Sequence, residues 1–92
     1  MKSILQTEKE CFITGRTDNL HLHHIYFGIG LRKISDDNGF TVYLTAELHN
    51  MSNKGVHFNR ELDLYLKQTC QRKFEETHSR EEFMKLIGKN YL

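Results

Sequence analysis

The strongest constraint on this chain is a histidine-rich run, Leu20-His21-Leu22-His23-His24-Ile25, followed later by His49 and His57. Of six histidines, five fall between positions 21 and 57. Histidine is the commonest metal ligand and the usual general base near neutral pH. Residues 20–27 alternate in part and are rich in β-branched, aromatic and histidine side chains, which predicts a strand. Neighbours in a strand point to opposite faces, so His23 and His24 cannot serve the same place. One can hold a metal while the other reaches a substrate on the far side. His21 shares the face of His23 and reads as a flanking residue.

The rest of the chain must be small. Its 92 residues make one domain, 1–92, whose core is limited and for which a metal would be a useful staple. Thirteen Lys and Arg stand against twelve Asp and Glu, a net charge of +1. Composition therefore makes no case for nucleic acid, and any basic surface must be local. Cys11 and Cys70 are too few for a secreted disulfide framework. No run is apolar enough for a signal peptide or a membrane span, so a soluble intracellular, cytoplasmic protein with no membrane partner is expected.

Residues 1–10 read as a short arm or a turn of helix. Cys11 to Gly15 is a brief apolar run, and Arg16 to Asn19 a turn. After the first strand, Gly28-Ile29-Gly30 loosens the backbone before Leu31-Arg32-Lys33. Ser35-Asp36-Asp37-Asn38-Gly39 carries a strong turn signal ahead of a second strand, Phe40 to Leu44. Thr45 to Met51 fits a short helical turn with Thr45 as its cap, and 50–55 a loop. Asn59 then caps a long helix with a buried stripe of Leu62, Tyr65, Leu66, Thr69, Cys70 and Phe74. Ser79 and Glu82 form a capping box for a last helix, whose apolar face is Phe83, Met84 and Ile87 and whose stop is Gly88. The predicted order is β, β, α, α, an α+β fold.

This layout resembles the HNH endonuclease superfamily, built on the ββα-metal motif. Carrying the resemblance are Leu22-His23-His24-Ile25 on the first strand, Phe40-Thr41-Val42-Tyr43-Leu44 on the second, His49-Asn50, and Gly55-Val56-His57. It implies a β-hairpin with a helix across it, a core motif over about 11–74 and a helical extension over about 78–92. It makes His23, His49 and His57 metal ligands and His24 the general base. Asn50, Asn53 and Asn59 are alternatives for the last ligand, because the interval from His49 to His57 is longer than in the simplest motif. Many relatives carry two CxxC pairs around a structural zinc. Here Thr14 stands at the partner position of Cys11, and Thr45 and Leu48 stand where the second pair would be. The structural zinc is thus expected to be lost and replaced by packing around Phe12, Leu44 and Leu48.

The chemistry so implied is hydrolysis of DNA phosphodiester bonds with little sequence preference. His24 activates water, and one divalent cation stabilises the leaving oxygen. Three imidazoles suit Zn, Ni, Co or Mn, while Mg becomes plausible if an asparagine contributes. Arg32 and Lys33, and more weakly Arg16 and Lys54, are candidates for phosphate contact, although adjacent surface charges are ordinarily just solvated. A homodimer or a recombination-protein partner, and a phage or prophage origin, follow from the resemblance alone. The alternative is a noncatalytic, metal-stabilised nucleic-acid-binding or phage recombination accessory module. Cys11 reads as a small buried hydrophobe and His78 as a solvated turn residue.

Overall fold

Two short strands form the centre of the fold. In a computed structural model describing residues 1–51, 55–56 and 59–92, β1 (Leu20–His24) and β2 (Thr41–Thr45) pair antiparallel. His21 stands opposite Leu44 and His23 opposite Val42. Between the strands lies α1 (Leu31–Asn38). A π turn (Glu47–Met51) follows β2, and the chain closes with α2 (Arg60–Phe74) and α3 (Arg80–Ile87). This is a mixed α and β fold with a two-stranded hairpin and helices. His57, Lys54 and Asn53 lie outside the described residues, as does the side chain of Asn50. Among the described residues no helix is long and apolar enough to cross a membrane.

The helix α1 corrects the expected turn at 35–39. Leu31, Ile34, Ser35 and Asn38 recur at helical spacing and face inward to varying depth, with Ser35 fully buried. Asn38-Gly39 is a helix end here, not a hairpin turn: Gly39 takes φ 73, the left-handed cap geometry that glycine adopts without a Cβ penalty. The order is therefore β, α, β, π turn, α, α.

The helical ends obey their caps. The Asn59 side chain accepts a hydrogen bond from the Leu62 amide at 3.1 Å, and Glu61 and Asp63 occupy the positive first turn. Ser79 and Glu82 form the expected reciprocal box. Thr45 Oγ1 accepts from the Leu48 amide at 3.4 Å, which starts the turn carrying His49.

The core joins Ile25, Tyr26, Phe40, Val42 and Leu44 from the hairpin region to Leu66, Cys70, Phe74, Phe83 and Ile87 from the helices. Tyr26 meets Phe40 and Phe83 edge-on at 5.5 and 5.4 Å, and Phe40 meets Phe74 at 5.5 Å. Edge-to-face pairs of this kind add about 0.5–1.5 kcal/mol each beyond the area they bury. Two residues of the expected stripes are exposed instead, Tyr65 and Met84, and Thr69 is only half-buried. Gln71 is buried in their stead, because it ties down the C-terminal residues: its amide donates to Asn90 Oδ1 and its carbonyl accepts from the Tyr91 amide.

The N-terminal arm runs along the outer edge of β2. Tyr43 N donates to Gln6 Oε1 at 2.7 Å, Phe12 N donates to the Tyr43 carbonyl at 2.9 Å, and Ile4 N donates to the Gly39 carbonyl. Cys11 is buried in a tight turn in which the Thr14 amide points at its sulfur. Leu44 is fully buried, and Phe12 and Leu48 are partly buried against the core.

Candidate functional site

Strand alternation puts His21 and His23 on one face of β1 and turns His24 to the other. The π turn after β2 brings His49 over the first face. The His49 ring lies 5.2 Å from that of His21 and 5.3 Å from that of His23, both edge-on. His21 Nδ1 and His49 Nδ1 are 3.0 Å apart. His23 is 1 % exposed, and Phe27 leans against it with ring centroids 6.0 Å apart. Beyond Phe27 the Lys67 ammonium of α2 sits 4.5 Å from that ring and is paired with Asp63 at 2.9 Å.

Two of the three expected ligands, His23 and His49, thus come together, with His57 outside the described residues. His21, read as a flanking residue, touches His49. Its signal was already in the sequence, since residues two apart on a strand share a face. Lys67 was missed altogether, because nothing along the chain links it to Phe27. Imidazole nitrogens, partly shielded from water, fit a borderline transition metal in donor type. Among the described residues no group of three or more His, Cys, Asp or Glu side chains is placed so that it could hold a metal ion.

On the opposite face His24 Nε2 lies 3.3 Å from Asp36 Oδ1, and the His24 side chain is only 15 % exposed. A carboxylate can only accept, so Nε2 is the donor of this contact, and in the neutral ring Nδ1 is then the acceptor. The partner that orients this ring is therefore a carboxylate on α1. Asp36 could not be found by sequence reasoning that took 35–39 for a turn.

Clefts flank the two faces. One, about 390 Å3, is lined by Arg16, His21, Thr45 and Glu47 among others. The other, also about 390 Å3, runs between the N-terminal arm and Leu22, Asp36, Thr41 and Tyr43, with Lys9 above the Tyr43 ring. The basic candidates are dispersed. Arg16 makes a two-point pair with Asp18, at 3.1 and 2.7 Å, which holds the Asp18 carboxyl below the usual carboxylate range. Lys33 pairs with Asp37 at 2.8 Å, and Arg32 is exposed on α1. Lys54 lies outside the described residues. Exposed ion pairs are worth about 0–1 kcal/mol, so a phosphate can displace them at little cost.

Compared with known protein families, with curated proteins and with solved structures, the chain matches none.

Proposed function

We propose that this chain is a metal-dependent endonuclease of the HNH, or ββα-metal, type that hydrolyses DNA phosphodiester bonds. The observation that supports this most is the pairing of His23 and His49 rings at 5.3 Å, with His24 next in sequence and braced by a carboxylate on the reverse face. Such a strand end offers a ligand and a base from adjacent residues. A divalent cation held by His23 and His49, with His57 or an asparagine as a further ligand, supplies Lewis-acid stabilisation of the leaving oxygen.

The protein's own part is proton management. His24 Nδ1 takes a proton from water as the water oxygen bonds to phosphorus and the bond to the leaving oxygen breaks. Asp36 accepts the Nε2 hydrogen bond and so fixes the orientation of the ring. Arg32 and Lys33, and more weakly Arg16 and Lys54, would position the phosphate backbone through contacts that carry no sequence information. One such centre makes a nick, so double-strand cleavage requires a second copy or a partner protein. The phage or prophage setting belongs to the same proposal.

A second reading has an observation of its own. His24 faces away from the imidazole cluster, an arrangement also suited to a noncatalytic module in which the metal serves only to fold the chain. Nicking of supercoiled plasmid across Mg2+, Mn2+, Ni2+, Zn2+ and EDTA separates the two. The expected result is metal-dependent nicking by the unaltered protein and a loss of about 100-fold or more in His24→Ala, with metal binding retained. Equal nicking by both proteins would remove His24 as the base. Metal and DNA binding without nicking would favour the accessory module.

A further inference from the structure

We propose that Ile29 is a wedge for duplex DNA. The isoleucine at the tip of the loop between β1 and α1 enters between two stacked base pairs, while Arg32 and Lys33 beside it meet the backbone phosphates. This rests on the DNA-binding half of the nuclease reading and adds to it a residue that opens the duplex.

Exposure singles Ile29 out. It is 105 % exposed, whereas apart from Met1 no other large apolar residue among the described ones exceeds 51 %. A lone exposed apolar side chain is ordinary on a protein surface; one that the backbone is built to hold out is not. The Leu31 amide donates to the Gly28 carbonyl at 3.2 Å, and Gly30 takes φ 80 and ψ -25. That is the third position of a type II turn, which glycine fills without strain. Ile29 stands at the corner before it. On the strand side Ile25 and Tyr26 are fully buried, and Ser35 Oγ bonds both the amide and the carbonyl of Tyr26. On the helix side Leu31 and Ile34 pack against the core. The loop thus presents its isoleucine from a platform anchored at both ends.

Charge decides the occupant. Arg32 and Lys33 are exposed in the first turn of α1, which holds no acidic residue. Further along, Asp36 faces His24, and Asp37 holds Lys33 in a surface pair that a phosphate can displace. A protein partner needs a patch of roughly 800 Å2, which one isoleucine cannot furnish, whereas a base step takes a single aliphatic side chain. Ile29 follows His24 by five residues, at most about 17 Å of extended chain. That is roughly five base pairs at 3.4 Å each, so the opened step lies within that distance of the phosphate attacked at His24. Pyrimidine–purine steps unstack at least cost, and the wedge favours them.

The test is the fluorescence of 2-aminopurine at a central TA step of a short duplex, read with the full chain, with Ile29→Ala and with Ile29→Leu. The expected result is a rise with the unaltered protein, its loss in Ile29→Ala and its return in Ile29→Leu. Ile29→Ala should also bind the duplex roughly 10-fold more weakly, since burying an isoleucine is worth at least that. Its melting temperature should be unchanged, because the side chain it removes is fully exposed. If the protein binds the duplex but the fluorescence stays flat, or rises equally with Ile29→Ala, the wedge is overturned, and plasmid nicking, read separately, decides the nuclease proposal. If the protein binds no DNA, both fall. Ile29-dependent binding to phosphatidylserine vesicles without the DNA response would overturn the wedge in favour of a membrane contact.

Discussion

Ser35, buried on the inner side of α1, reaches back to Tyr26 just past the end of β1. Its Oγ donates to the Tyr26 carbonyl at 2.6 Å and accepts from the Tyr26 amide at 3.1 Å, all in the buried interior. One hydroxyl thus replaces the ladder bonds that the strand no longer makes. Ser35→Ala would strand a buried donor and a buried acceptor together, at a cost of about 2–3 kcal/mol. Urea unfolding should show a lower midpoint with an unchanged slope. At this scale the sequence was informative wherever the period of two decided the matter. It set His21 and His23 on one face and His24 on the other. It was silent on Asp36 and Lys67, whose roles depend on which helices pack beside the hairpin.

Among the elements, α1 shows where local signals mislead. Asp36, Asp37, Asn38 and Gly39 are poor helix formers and good turn formers, and that composition outweighed an inward stripe only four residues long. Packing of Leu31 and Ile34 against the core decides for the helix. Gly39 then does two jobs: it ends α1 in the left-handed region, and it lets the N-terminal arm pass close by. A Cβ there would overlap the Lys2 carbonyl and press on Ile4. Gly39→Ala is therefore expected to destabilise by more than the ~1 kcal/mol of a simple left-handed penalty, read by thermal or urea unfolding. The corner between α2 and α3 responds to acid instead. Hydrogen bonds from Arg80 and then Gln71 hold the Glu75 carboxyl below its usual range. A depressed folded value means this stabilisation is present above the ordinary glutamate value of about 4.3 and lost as pH falls through the folded one. Glu75→Gln should flatten that part of the stability–pH curve while leaving its neutral-pH shape alone.

For the whole molecule, the β-hairpin, the capped helices and a shared core were legible because each follows from periodicity and end signals. The arm along β2 was not, since its bonds run from backbone and Gln6 to positions 37 or so residues away. A small core makes such a chain sensitive to any ligand of the folded state. At a free metal concentration 100 times the dissociation constant, binding adds about 2.7 kcal/mol. That predicts a rise in melting temperature of roughly 10–20 °C for a domain of this size, reversed by EDTA and checked by calorimetry. Cys70 offers an independent gauge. Burial pushes its thiol up to about 12, so a thiol reagent at neutral pH reaches it only when the core opens.

The π turn under His49 has a consequence for how such a chain tolerates change. A π turn encloses one more residue in each hydrogen-bonded loop than an α turn. Where His49 points is therefore set by the count of residues after β2 as well as by their chemistry. Deleting one residue there would let the segment tighten and swing the imidazole out of line with His21 and His23. Substitutions nearby preserve that alignment; changes of length do not.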